Sequence, residues 1–276
     1  MSGLNFFYIN LVPCSLTAIS STIFLFCFFC FEGLRLRKTM RLIAVFQSLD
    51  LLLSLNTVFP SILFSHNKIL CSIQGFNEQL FSTSEVIWEI WFSLYVYRTI
   101  ILKKDKDEAI NIKKALMLTL AITLPPAIIF LLCGFYKYDD TWCWLDSRNR
   151  LENFFLLEFL SSYIFVFISF VWGVFVMWSV HKLIRNNTVY TDKNILRLQV
   201  YPFIMFFCYF FMFVYRILIA GEWEVQGGYK EFSAIVINLV GFINFLVLGF
   251  TEEFINGIRF VRGKEFAEII NTSRSN

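Results

Sequence analysis

The sequence predicts an all-α membrane protein, a seven-transmembrane helix bundle followed by a short cytoplasmic amphipathic helix. Three observations predict it. The 276 residues are 57% hydrophobic and only 16% charged, where a soluble domain runs at about 45–50% apolar and about 25% charged. The apolar residues gather into long runs separated by short charged stretches, the pattern of a chain whose main solvent is lipid. The Lys and Arg residues crowd into alternate connections, as the positive-inside rule requires of a membrane protein.

A helix needs about 20 mainly apolar residues to cross the hydrocarbon core. Seven segments of the single domain 1–276 meet that test, at about 8–31, 40–64, 71–102, 115–135, 151–183, 195–220 and 231–250. The short connections make neighbouring helices antiparallel. Helices are required because hydrocarbon cannot satisfy the unpaired edge of an open sheet. A membrane barrel would alternate polar and apolar residues, and Phe24-Leu25-Phe26-Cys27-Phe28-Phe29 does not. Residues 1–10 carry no basic side chain and the first apolar run is long, so it reads as a retained helix, not a signal peptide. Beyond the seventh segment, apolar Phe254, Ile258, Val261, Phe266, Ile269 and Ile270 alternate with charges, which suggests a surface helix over 252–270.

Orientation follows from the cations. With the amino terminus outside, the inner loops hold Arg35, Arg37, Lys38, Arg41, Lys103, Lys104, Lys106, Lys113, Lys114, Lys182, Arg185, Lys193 and Arg197, and the tail adds Arg259, Arg262, Lys264 and Arg274. The outer side holds only Lys68, Lys137, Arg148, Arg150 and Lys230. The carboxyl terminus is therefore expected in the cytoplasm, and the plasma membrane is the expected location. A net charge of +3 argues for no nucleic-acid partner. The partner implied by composition is membrane lipid.

Of seven cysteines, Cys14, Cys27, Cys30, Cys133 and Cys208 fall inside apolar runs and read as small packing residues. Cys71 and Cys143 stand at the outer, oxidising face, where a disulfide between them would tie the second outer loop across the bundle mouth. No metal centre and no cofactor are expected.

Ionisable groups inside a membrane are costly and face the bundle interior or a wet cavity. Segment three carries Glu78, Glu85 and Glu89 on one helical face, extended by Gln74 and Ser82, and so reads as the central helix. Glu78 lies about 10 Å and Arg216 about 7 Å below the outer ends of their helices; with Glu158 they can form an outward-facing ligand pocket. The same three can equally form a structural ion pair, Arg216 with Glu78 or Glu158. Asp50 and Glu85 both fall about 21 Å down. Two carboxylates at one depth can hold a cation or share a proton, giving a mid-membrane switch, or can simply hydrogen-bond to neighbours such as Asn238 and Asn244. Trp88, Trp91, Trp172 and Trp178 read as packing residues, while Trp142, Trp144 and Trp223 fit an interfacial aromatic belt.

The stretch 71–101, with Cys71, Gln74, Trp88 and Tyr97, resembles the third helix of the cyclic-AMP-receptor-like class of G-protein-coupled receptors, the slime-mould chemoattractant group (class E). Trp142-Cys143-Trp144 resembles that family's outer-loop Trp-Cys-Trp. Arg197-Leu198, Tyr201, Cys208 and Arg216-Ile217 follow its sixth-helix pattern. The resemblance runs over about 35–250 and is thin in segments one, four and five. It implies a receptor that senses an extracellular small ligand and activates a heterotrimeric G protein. On that reading Gln74, Glu78, Glu158, Trp144 and Arg216 line the pocket, Asp50, Glu85, Glu89, Asn238 and Asn244 form the switch, and Tyr97, Arg98 and Arg197 face the G protein. Arg98 departs from the family, which keeps an uncharged polar residue there. Neither Asp-Arg-Tyr below segment three nor Asn-Pro-x-x-Tyr on segment seven occurs, which argues against the rhodopsin-like class. The ligand stays open: the glutamates would repel an anionic nucleotide, and Arg216 would attract it.

The competing function is a proton- or cation-coupled transporter or channel using the helix-three glutamate column. Against it, the chain shows no paired repeats. A retinal pump would need a Lys in mid-segment seven, where none stands. No Gly-x-Ser-x-Gly or His-Glu-x-x-His occurs and the histidines are His66 and His181, so no enzymatic activity is expected.

Overall fold

The computed structural model describes residues 3–58, 67–104, 106–138, 143–145, 154–186, 193–223, 228–249, 251, 254–256 and 258. Helix α1 (Gly3–Cys30) is followed by the short α2 (Glu32–Arg35), then α3 (Lys38–Val58), α4 (Lys68–Ile100), the short α5 (Lys106–Ala109) and α6 (Ile112–Cys133). A hairpin of β1 (Tyr136–Tyr138) and β2 (Cys143–Leu145) comes next. A π-helical segment, Phe154–Tyr163, then runs into α7 (Ile164–Asn186). The chain continues through α8 (Lys193–Ala220), α9 (Tyr229–Asn238) and α10 (Val240–Gly249).

Six helical stretches among the described residues are long and apolar enough to cross a membrane: Asn10–Cys30, Lys38–Val58, Ile112–Cys133, Glu158–Leu183, Phe203–Ala220 and Tyr229–Val247. They mark an integral membrane protein. The sorting of side chains on α6 shows why. Its inner stripe is small or polar, with Ala115, Thr119, Thr123 and Ala127 buried, while Met117, Ile129 and Leu132 point outward, Leu132 at 80% exposure. Small inward residues let helix backbones approach closely where the surrounding solvent is apolar. Across that stripe Trp91 Nε1 donates to Thr119 Oγ1 at 3.1 Å, and the Ser84 and Thr123 hydroxyls meet at 3.2 Å.

Helix α4 is the longest element, and its burial explains its exceptional polarity. It packs against α3, α6, α7, α8 and both strands of the hairpin. Glu85 and Glu89 are fully buried on it, as are Gln74, Gln79, Ser82 and Thr83. Trp88 is completely enclosed and its indole donates to the Leu42 carbonyl of α3 at 3.0 Å, so it serves as a packing residue as expected. The α7–α8 seam is aromatic: Phe170 stacks on Phe206 with centroids 3.9 Å apart, and Phe167 meets Phe213 edge-on at 5.1 Å.

Local chemistry sets the ends. The Asn67 side chain caps α4 by accepting from the amides of Ile69 and Leu70. Asn111 caps α6 through the Lys114 amide. Gly134, at φ 70°, closes α6, with its amide bonded to Leu131 O and that of Phe135 to Phe130 O, a Schellman stop.

The expected single helix over 231–250 is broken between α9 and α10, and the cause is visible. Thr17 of α1 inserts its hydroxyl into the helical ladder: Oγ1 donates to Asn238 O at 2.8 Å and accepts from the Phe242 amide at 3.2 Å, replacing the direct bond between those two groups. Gly241 makes room for this. A Cβ there would stand 2.4 Å from the Thr17 methyl and 2.8 Å from the Asp50 carboxyl carbon.

Two further expectations meet a different outcome, and a third is described only in part. The all-helix reading misses the hairpin, which pairs Tyr136 with Leu145, Lys137 with Trp144 and Tyr138 with Cys143. The rule excluding open strands applies inside hydrocarbon, and this hairpin lies in the connection beyond α6. Trp144 does not join an exposed aromatic belt; it is buried at 8% exposure, unlike Trp223 at 66%. Of the expected surface helix at 252–270, residues 254–256 and 258 are described as helical, and Phe254 stacks on Phe24 of α1 at 5.3 Å. Its remainder, like Trp142, lies outside the described residues.

Gly241→Ala is expected to destabilise the chain by about 1–3 kcal/mol, because the added methyl displaces Thr17 and Asp50 together. Thermal unfolding of the purified protein checks this; an unchanged midpoint would mean that the α1–α10 approach is loose.

Candidate functional site

One end of the bundle is organised by the hairpin. Cys71 at the start of α4 and Cys143 of β2 form a disulfide with Cα atoms 5.2 Å apart, the pairing expected from the sequence. Three further contacts fasten the hairpin to α4. The Cys143 amide donates to Gln74 Oε1 at 3.3 Å. The Tyr136 hydroxyl donates to Gln79 Oε1 at 2.5 Å. The Tyr136 ring lies over Gly75, where any Cβ would come within 2.7 Å of it. Burial pushes the Tyr136 phenol up, so it remains a hydrogen-bond donor.

Beneath the hairpin is a cavity of about 50 Å³ lined by residues that include Glu78, Ser82, Trp144, Tyr209, Arg216 and Asn238. At about 10–15 Å³ for each water centre, this is room for roughly four waters or one small polar group. Two acidic positions sit at different places around it. Glu78 accepts from Asn56 Nδ2 at 2.8 Å and from the Thr57 hydroxyl at 3.3 Å. Asn56 in turn exchanges bonds with the Gln74 backbone and side chain, which links α3, α4 and the hairpin into one network. Glu158 lies on the π-helical segment, fully buried, and accepts from Trp144 Nε1 at 3.2 Å. Arg216 Nε stands 3.8 Å from Glu158 Oε2, and its guanidinium lies 6.0 Å from the centres of the Trp144 and Tyr215 rings. Of the two ion pairs left open by the sequence, Arg216 thus makes the one with Glu158.

The five expected pocket residues divide by role. Glu78, Arg216 and Trp144 line the cavity, Glu158 braces Arg216 and Trp144 from behind, and Gln74 holds the hairpin. Sequence reasoning misses Asn56, Thr57, Gln79, Tyr136 and Tyr209. Asn56 and Thr57 carry a signal, as adjacent polar residues near the end of an apolar run; Tyr136 in a loop carries none.

Deeper in the bundle, Asp50 and Glu85 do meet. Their carboxyl groups lie within reach of each other, with the Asn244 amide beside Asp50. Gln47 Nε2 donates to Asp50 Oδ2 at 3.2 Å, and the Tyr209 hydroxyl approaches Glu85 Oε2 at 3.4 Å. Glu89 sits one turn further along, facing Ser169 of α7. Asn238 does not belong to this group: its amide donates to Asn10 Oδ1 at 3.1 Å and it lines the cavity beneath the hairpin. Six residues of helix separate it from Asn244 in depth and in direction.

At the other end of α4, Tyr97 packs against the stacked pair Trp172 and Phe175, with centroids 5.8 and 5.9 Å away. Arg98 donates to the Ala109 carbonyl at 3.0 Å and so anchors α5. The side chain of Arg197 lies outside the described residues.

Arg216→Ala strands the Glu158 carboxylate in a buried site and is expected to cost about 3–5 kcal/mol of stability. The double change Arg216→Met with Glu158→Met is expected to recover most of that loss. Thermal unfolding of Arg216→Met, Glu158→Met and the double variant checks the pairing; additive losses in the double variant would show that the two groups do not act on each other. Compared with protein-family models and with curated proteins, the chain matches none, so its reading rests on the geometry above.

Proposed function

We propose that this chain is a seven-span receptor of the cyclic-AMP-receptor-like kind, with its amino terminus outside, its carboxyl terminus in the cytoplasm and its seat in the plasma membrane. On this reading α4 is the seventh span, too rich in carboxylates to pass as apolar but central enough to be shielded from lipid. The observation that carries the proposal is the polar cavity under a disulfide-tethered hairpin, enclosed by residues of α3, α4, the π-helical segment, α8 and α9. Such a lid and cavity suit capture of a small ligand from the oxidising side. The protein performs no chemistry on that ligand; it transmits occupancy.

Transmission requires that the ligand favour one arrangement of the helices over another. The cavity floor offers the means. Tyr209 lines it and also touches Glu85, so a ligand that moves Tyr209 acts on the Asp50–Glu85 pair below. The inner ends of α4 and α8, with Tyr97, Arg98 and Arg197, would then meet a heterotrimeric G protein. The cavity volume favours a ligand much smaller than a nucleotide, one with a cationic group toward Glu78 and an acceptor toward Arg216.

The test is nucleotide exchange on heterotrimeric G protein in a reconstituted membrane, against a panel of small zwitterionic, cationic and nucleotide ligands. Ligand-dependent exchange is expected, and Glu78→Gln is expected to weaken potency at least tenfold, about 1.4 kcal/mol, at unchanged surface expression. Exchange that no ligand stimulates, together with proton or cation flux abolished by Glu85→Gln, would replace the receptor with the transporter.

A further inference from the structure

The charges around the cavity beneath the hairpin do not cancel. Arg216 and Glu158 stand against each other, one guanidinium facing one carboxylate. Glu78 of α4 is a further carboxyl in the wall, and its contacts are to neutral groups, the Asn56 amide and the Thr57 hydroxyl. Among the described residues Arg216 is the one base that lines the cavity; Lys230, 6.0 Å from the centre of the Tyr215 ring, is not part of the wall. The next carboxyls inward, Glu85 against Tyr209 and Asp50 beyond it, add nothing positive. With Glu78 ionised, the wall therefore carries an excess negative charge.

The atoms left open in the wall say what can balance it. Both donors to Glu78 fall on Oε2, which leaves Oε1 to the cavity. The wall hydroxyls are committed elsewhere: Thr83 and Ser162 meet each other at 3.3 Å, Ser82 donates to the Gln79 carbonyl at 3.4 Å, and Tyr209 donates to Glu85. Carbon makes up another part of the lining, from Val86, Val166, Met212 and Ile237. A water needs about two to four polar partners, and a hard metal cation needs a shell of oxygens. One open carboxyl oxygen beside a hydrocarbon wall provides neither. A proton on Oε1 would cancel the charge but leave the space unfilled. An organic cation answers both demands, with its charged end on the carboxylate and its carbon atoms against the apolar side.

We propose that the ligand of this cavity is a small protonated amine of net positive charge, an alkylamine or amino alcohol, with its ammonium group on Glu78 and its carbon body against Val86, Val166, Met212 and Ile237. This deepens the receptor reading given above and rests on its assignment of the cavity as the ligand site. Room for roughly four waters limits the amine to about four to six non-hydrogen atoms. A zwitterion of that size brings a carboxylate into a wall already in excess of negative charge, where Arg216 is engaged by Glu158. A nucleotide fails on size and on sign. The acceptor toward Arg216 is then an uncharged oxygen, such as a hydroxyl.

Thermal unfolding of the full chain in lipid nanodiscs tests the ligand class, at neutral pH and matched ionic strength, with a three-carbon series: propanolamine, β-alanine, propanediol and propionate. Propanolamine is expected to raise the midpoint saturably by about 2–4 °C at roughly ten times its dissociation constant. β-Alanine is expected to need at least ten times the concentration, and propanediol and propionate to leave the midpoint unchanged. Glu78→Gln is expected to weaken the propanolamine response at least tenfold. Should that variant fail to fold, Met212→Phe, which fills the apolar side and keeps every charge, is expected to weaken it likewise. No response to propanolamine, an equal response to propanediol, a stronger one to β-alanine or propionate, or a propanolamine response that survives Glu78→Gln would each overturn the proposal. The same series in the nucleotide-exchange assay separates this proposal from the reading beneath it. Propanolamine binding without exchange keeps the ligand class and sinks the receptor, whereas exchange evoked by β-alanine or propionate and not by propanolamine does the reverse.

Discussion

Lipid as solvent imposes one condition from which the arrangement of this molecule follows: polar and charged groups within the spans must find their partners inside the bundle. On α6 this places threonines and alanines inward and leucine outward. On α4 it gathers Gln74, Gln79, Ser82, Glu85 and Glu89 into the most enclosed positions of the structure. The faces of a helix that carry that many polar groups could not front hydrocarbon, so other helices must cover them. Centrality of α4 is therefore a consequence of its composition. The apolar helices need only cover it, which is why bulk phenylalanine suffices along the α7–α8 seam.

The hairpin end obeys a second condition, that a connection placed over a cavity must be held without a core of its own. The hairpin is too short to be stable alone. It borrows stability from α4 through a covalent bond at Cys71, amide contacts at Gln74 and Gln79, and the bare backbone at Gly75. All four anchors fall within the first turns of one helix. The lid also reaches α6, through the Tyr136 hydroxyl and the Ala127 carbonyl, and its Trp144 meets Glu158 of the π-helical segment, which faces Arg216 of α8.

Much of this is legible in the sequence, and the parts that are not share physical reasons. Helices announce themselves by the length of their apolar runs, and described boundaries depart from the expected ones by a few residues. The proximity of Asp50 to Glu85 follows from counting residues down two helices, because the rise per residue is fixed. Asn238 falls outside the group for the same reason: six residues before Asn244, it lies about 9 Å and about 120° from it on any helix. The break that Thr17 makes in the ladder is not legible. Nothing near Leu239 signals a break; the cause sits on another helix more than two hundred residues away. Trp144 reads as an interfacial aromatic by its position in an outer loop, and only the hairpin register turns it inward toward Glu158. Arg98 reads as a cytoplasmic docking group, whereas the carbonyl it grips belongs to α5, an element too short to detect by periodicity.

The hydroxyl of Thr17 makes the last helical pair a spliced joint, with α1 supplying the missing link in the backbone of its neighbour. Straightening α9 onto α10 means closing Phe242 directly on Asn238, which requires the splice to be withdrawn and α1 to draw back from Gly241. Bending at that joint and the spacing between the first and last helices are therefore one degree of freedom. Asp50, wedged beside the same glycine, feels any displacement along it.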